Sequence, residues 1–307
     1  MAHPIAVGGA VLLLTTAASA CGPAVLARTS GAGKIVAVGA ESEYGNVIGQ
    51  IGGRYVSASA IMSDPSTDPH TFEASPQVAQ LISTAELVVQ NGLGYDAFMN
   101  RIEAATPSQR RRVISVQSLL GLPSSTPNPH LWYRTSTMPK VARAVAVALG
   151  RLAPSHRGYF QAQLTRFDRS LLPWTKAIAE LRQRFAHAPV ATTEPVADYL
   201  LQAVGLKNRT PWSLQAAVMN GVDPSPQDVG LQDQLLQHHQ VRAFLYNEQV
   251  TDSLTSSFLA LARRDGVPVV AVYETMPSPG YDYQTWMLAE TRAVQRALSD
   301  KRSTTRL

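Results

Sequence analysis

Between Ser155 and Phe185 the large apolar residues Phe160, Leu164, Phe167, Leu171, Trp174, Ile178, Leu181 and Phe185 recur at spacings of four and three. That is one face of a helix about 46 Å long at 1.5 Å per residue. The stripe reads as core packing, and its length suits a strut joining two lobes, with Pro173 expected to kink it. On both sides of the strut, short apolar runs alternate with helical ones. Before it, Lys34 to Ala40, Val56 to Met62, Leu87 to Gln90 and Arg112 to Val116 read as strands, with helical spacing at Tyr44 to Ile51, Gln77 to Ala85 and Met138 to Leu152. After it, Val190 to Thr193, Val241 to Tyr246 and Val267 to Tyr273 read as buried strands. Such alternation gives parallel sheets. The expected fold is therefore α/β: two doubly wound α/β lobes, at 34–153 and 186–307, joined by one long helix at 154–185.

The segment Ile61 to Glu73 cannot be helix, because Pro65 and Pro69 remove backbone donors and push their neighbours towards extended geometry. It carries His70 on a loop just past the carboxyl end of a strand, where ligands bind in open α/β sheets. A second proline-histidine step stands at Asn128-Pro129-His130-Leu131-Trp132. In the second half, Glu194 and Glu274 each end a strand. Neutral imidazole and ionised carboxylate are donors that manganese, iron and zinc accept, and two negative charges neutralise a divalent ion. Taken singly, a loop histidine is more often a solvated surface residue, and each glutamate reads better as a helix cap or a member of a surface ion pair. The pair His238-His239 reads as solvated on a polar helix.

The net charge of +5 is carried mostly by scattered arginines, with one run at Arg110 to Arg112, so no nucleic-acid partner is expected. The single cysteine, Cys21, excludes an internal disulfide and a cysteine-built metal centre. Residues Ile5 to Ala20 are apolar or small and end in Ala18-Ser19-Ala20-Cys21. This leader resembles a bacterial lipoprotein signal, which implies cleavage after residue 20, lipidation of Cys21 and a tether at 21–33. The mature chain is expected outside the cytoplasm, anchored by lipid on the outer face of the cell membrane, or secreted or periplasmic if Cys21 is not used.

From about Lys34 to Leu298 the chain resembles the metal-specific solute-binding proteins of zinc and manganese ABC importers. Asp68-Pro69-His70-Thr71-Phe72-Glu73 is similar to that family's first ligand motif and Asn128 to Trp132 to its second. Glu194 stands where members carry histidine or glutamate, and Glu274 where they usually carry aspartate. Asn91-Gly92-Leu93-Gly94 and Asn247-Glu248-Gln249 are similar to further segments around the cleft. The resemblance implies two lobes with a metal site in the cleft between them. It also implies His70, His130, Glu194 and Glu274 as ligands, Mn2+ or Zn2+ as cargo, and a membrane permease as partner of a monomeric binding protein. Two glutamates able to bind through both oxygens, and the absence of a histidine-rich acidic loop, favour manganese.

A secreted metallohydrolase would use the same ligands with a position left open for water. There is no His-Glu-x-x-His and no Gly-x-Ser-x-Gly, so no enzyme is expected. A phosphate loop at Gly31-Ala32-Gly33-Lys34 fails, because Arg28 and Ile35 occupy the positions that need glycine and Ser or Thr. A metal-dependent adhesin shares the resemblance.

Overall fold

The structure is a computed structural model that describes residues 1–3, 33–66, 72–277 and 280–307. Residues Lys34–Leu307 form one compact unit. In chain order the first lobe contains β1 (Ile35–Glu41), α1 (Ser42–Gly52), β2 (Val56–Met62), α2 (Pro76–Thr84), β3 (Leu87–Gln90), α3 (Ala97–Ala105), β4 (Arg112–Ser115), the single turn α4 (Val116–Leu119) and α5 (Thr137–Leu152). Two helices follow, α6 (Arg157–Ser170) and α7 (Leu172–Phe185). The second lobe contains β5 (Pro189–Thr192), α8 (Asp198–Val204), β6 (Lys207–Asn208), α9 (Trp212–Met219), α10 (Pro226–Gln237), β7 (Phe244–Asn247), α11 (Ser253–Arg264), β8 (Val269–Val272) and α12 (Tyr283–Asp300).

Both sheets are wholly parallel and have the same order, β2-β1-β3-β4 and β6-β5-β7-β8. The first strand of each lobe lies inside, the second goes to one side, and the third and fourth go to the other. That reversal puts a crevice at the carboxyl ends of β1 and β3, and of β5 and β7. Burial on both faces explains the unbroken apolar runs: β3, β7 and β8 are buried at every position. Helix α1 comes down close on its own strand, where a Cβ at Gly39 would collide with the backbone nitrogen of Gly45. Only glycine allows that approach.

The stretch between the lobes is two helices in place of one. The break falls at Leu171, and Pro173 sits in the first turn of α7. A proline ring has no N–H to give to the preceding turn and crowds the carbonyl four residues back, but it fits the first turn of a new helix. The apolar stripe nevertheless survives the break, with Phe160, Leu164, Phe167, Leu171, Trp174, Ile178 and Leu181 all buried in one cluster that reaches from β1 to α12. A further correction is local: His238-His239 follow the end of α10 in place of lying on it, with His239 at φ 49°.

Helix α12 ties the halves together. Tyr283 Oη donates to Trp132 O at 2.7 Å, Tyr283 N donates to Asn46 Oδ1 at 3.1 Å, and Gln284 and Gln50 exchange amide hydrogen bonds at 3.0 Å. Among the described residues no helix is long and apolar enough to cross a membrane.

Candidate metal centre

Three of the four expected ligands lie in the described part of the chain; His70 lies outside it, as does Cys21 with the leader. Glu194 and Glu274 stand two residues past the ends of β5 and β8, and His130 opens the turn that leads into α5. All three side chains are buried.

His130 is oriented by a chain of bonds with one consistent reading. Asn128 Nδ2 donates to Pro195 O at 2.7 Å, which turns Asn128 Oδ1 towards His130. That oxygen accepts from His130 N at 3.0 Å and lies 2.8 Å from His130 Nδ1. Nδ1 must therefore carry the proton, which leaves the Nε2 lone pair for another partner. Nε2 faces Glu274 Oε2 at 3.2 Å.

The two glutamates are bridged by Asn247 at the end of β7. Its Nδ2 donates to Glu194 Oε1 at 3.0 Å and to Glu274 Oε1 at 2.7 Å. Asn247 is itself fixed, because its Oδ1 accepts from Gln249 N at 3.0 Å and its N–H donates to Thr193 Oγ1 at 3.1 Å. Tyr95 from the first lobe donates to Glu274 Oε2 at 2.8 Å. Gln249 Oε1 accepts from the main-chain nitrogens of Glu274 and Thr275 at 2.6 and 2.9 Å. Two carboxylates are thus held side by side with an imidazole lone pair aimed at one of them.

The first lobe uses the same position of its sheet for the same purpose. Asn91, just past β3, donates to Pro129 O at 2.8 Å and so supports the peptide before His130. Tyr44 Oη donates to Asn91 Oδ1 at 2.7 Å, and Asp96 accepts from the main-chain nitrogens of Asn91 and Gly92 at 2.6 and 2.9 Å. Gly92, Leu93 and Gly94 have φ values of 85°, 57° and 82°. Three successive left-handed residues turn the loop sharply, and at Leu93 this backbone is costly, as is common beside functional sites.

Buried around these groups are the carboxyls of Glu41, Glu43 and Asp96, while no Lys or Arg is buried among the described residues. Burial pushes Glu43 up to about 8, helped by the charge of Glu274. Burial also raises Glu41, with repulsion from Asp96 and Glu43 adding to it, and burial followed by the Glu274 charge raises Tyr95. A basin of carboxyls without a cationic side chain favours a bound cation. Among the described residues no three His, Cys, Asp or Glu side chains gather closely enough to hold an ion by themselves.

The motifs point to His130, Glu194 and Glu274, which the fold brings together, and to the segments of Asn128, Asn91 and Asn247 without the bonds these make; Tyr95 is not singled out. The signal was present: a polar amide directly at the carboxyl end of a buried apolar strand, as in Phe-Leu-Tyr-Asn, has no reason to be there except to bond into the crevice.

Two parallel α/β lobes with buried donors from both meeting at their strand ends define a two-lobed solute-binding protein. The model of the family described as zinc-uptake complex component A, periplasmic, matches residues 38–297, and the chain belongs to that family. It is 23% identical over 289 residues to a putative metal-binding protein of Treponema pallidum (strain Nichols), covering 87% of each chain. It is 22% identical over 278 residues to the manganese-binding lipoprotein MntA of Bacillus subtilis (strain 168), covering 84% of this chain and 85% of that one. The fold matches the solute-binding protein FpvC of Pseudomonas aeruginosa in complex with Mn2+, with a TM-score of 0.71 at 20% identity, over 88% of this chain and 100% of that one.

Proposed function

We propose that His70, His130, Glu194 and Glu274 together hold one divalent ion, Mn2+ or Zn2+, as cargo for the importer. The observation that carries this is Asn247, which donates to Glu194 and Glu274 at once and fixes them beside the His130 lone pair. Two buried carboxylates brought together where no Lys or Arg is buried among the described residues are stabilised by a divalent cation more than by any neutral ligand. The ligands come two from each lobe, so the ion links the lobes. A relative shift of the lobes separates His130 from Glu274 and releases the ion; such a shift is kept small by α12 and the shared core. The chain acts by capture and delivery without turnover.

The test is calorimetric titration of Mn2+ and Zn2+ into the chain and its four single Ala variants. Each substitution is expected to weaken binding at least tenfold, or about 1.4 kcal/mol; unchanged affinity in two of the four would refute the ligand set.

Manganese is the cargo we favour, because two glutamates allow a coordination number above four whereas zinc prefers a tetrahedral site richer in nitrogen. MntA of Bacillus subtilis is a manganese-binding relative. Zinc will bind the same donors more tightly in a test tube, so the deciding experiment is growth of a deletion strain under chelation. Rescue by zinc alone would overturn the preference. The chain is proposed to act as a monomer, anchored to the outer face of the membrane through a lipid on Cys21. Wild-type protein recovered unlipidated from the medium would refute the anchor.

A further inference from the structure

The two lobes finish their sheets differently. In the second lobe the free side of β8 is covered by the end of the chain: Ala271 N donates to Thr304 O at 2.8 Å, Thr304 N donates to Val269 O at 2.8 Å, and Val269 N donates to Ser303 Oγ at 3.0 Å. In the first lobe β4 holds the same place in the strand order, and among the described residues it pairs with β3 alone. Arg112 N donates inward to Glu86 O. Bonding directions alternate along a strand, so the N–H and C=O of Val113 point out of the sheet. A strand in this position of this fold is thus one that a short extended segment can complete, and among the described residues no segment does so at β4.

Beside the open edge runs a groove of about 630 Å³ between β4 and α5. Its apolar surface includes Val113, Leu119 and Val147, at 44%, 37% and 43% exposure. Such side chains are unusual on an otherwise polar rim. Around them stand the exposed cations Arg112, Lys140, Arg143 and Arg151, and no acidic side chain lines the groove. Edge strands are commonly guarded by charge, but a guard needs only to repel other edges. Here the charge is of one sign and follows an apolar trough along the edge, which selects an occupant of opposite charge. The first 33 residues of the chain contain no Asp or Glu, so they do not match it.

We propose that the groove between β4 and α5 is a docking site for an acidic, extended peptide segment of a partner protein. The segment adds a strand to β4 through Val113, lays alternate apolar side chains against Leu119 and Val147, and sets carboxylates against Lys140, Arg143 and Arg151. This is strand addition, in which main-chain bonds supply affinity and the flanking side chains supply specificity. It is independent of the metal ligands.

The probe is a fluorescently labelled peptide of alternating Glu and Val, six residues long, titrated by anisotropy into the metal-loaded chain. Saturable binding is expected, weakened at least tenfold by Lys140→Glu with Arg143→Glu. Val113→Pro removes the outward N–H without touching a bond to β3, and at least fivefold weakening is expected. Since that variant can disturb the strand, hydrogen exchange on the unaltered chain provides the second measurement: the peptide should slow exchange at the Val113 amide. The proposal is overturned if the peptide does not bind. It is equally overturned if the Val113 amide is not protected, or if 1:1 phosphatidylglycerol–phosphatidylcholine vesicles bind the chain while the peptide does not, which would make this a membrane-facing surface.

Discussion

The Tyr133 hydroxyl lies 2.8 Å from the main-chain oxygen of Tyr273, which bonds the residue three past His130 to the residue just before Glu274. The bond crosses from one lobe to the other. Its partner on the far side is Glu290, whose Oε2 lies 2.7 Å from the same hydroxyl and whose Oε1 accepts from Trp286 Nε1 at 2.7 Å. Burial pushes Glu290 up to about 8. With its proton on, Glu290 donates to Tyr133, and the tyrosine proton is left for the Tyr273 carbonyl. These bonds hold the turn after His130 against the strand end that leads to Glu274.

Tyr133→Phe is therefore expected to weaken metal binding about tenfold, or about 1.4 kcal/mol. Glu290→Gln keeps a donor towards Tyr133 and an acceptor for Trp286, so its affinity should stay near that of the wild type. Calorimetry on both variants is the check. An equal loss in Glu290→Gln would mean that the carboxyl is ionised and the relay runs the other way.

Stability of the metal-free chain should depend on pH through the same group. Glu43 and Glu290 both rise from 4.5 to about 8 in the folded chain, so between those values the folded state holds protons that the unfolded state has lost. The stability these two carboxyls contribute is then fully present at and below about pH 4.5 and is lost progressively as pH rises towards 8. Urea unfolding at a series of pH values measures the slope, and Glu290→Gln should flatten it.

Asn128→Ala removes the acceptor that holds the His130 proton on Nδ1. Metal affinity is expected to fall ten- to a hundredfold, the usual range for partners that orient a ligating histidine. Asn128→Asp retains the acceptor and should lose less. Equal losses in the two variants, measured by competition with a chelating dye, would show that the Asn128 bond to Pro195 matters more than the tautomer.

Asn247→Leu leaves Glu194 and Glu274 buried without their shared donor. The metal-free chain should lose about 1–3 kcal/mol in urea unfolding, the range for removing one donor from a buried acceptor. A smaller loss would mean that one of the two glutamates is neutral before metal arrives.

The architecture was legible in the sequence because buried parallel strands read as unbroken apolar runs: Leu87 to Gln90 is a strand over those residues, and others shift by one to three positions at their ends. The helix break at Leu171 was readable only as a kink at Pro173, since periodicity counts apolar residues and the stripe continues through the break. Of the candidate site, the two glutamates stood out at strand ends and the two histidines in proline-histidine steps. The amides were legible only as parts of segments resembling the cleft's surroundings, because Asn is common in loops, and the fold shows that Asn91 and Asn247 occupy matching places at the ends of β3 and β7.

The tail that completes β8 has a consequence for anyone handling the protein. Leu307 N donates to the Tyr273 hydroxyl at 3.2 Å and Thr304 sits in the ladder, so the final residues are a working part of the second sheet. Shortening the chain before Ser303 would leave a second row of bare backbone groups, inviting self-association in concentrated samples. An affinity handle fused at this end needs a spacer long enough that the last turn of chain can still settle against Val269 and Ala271.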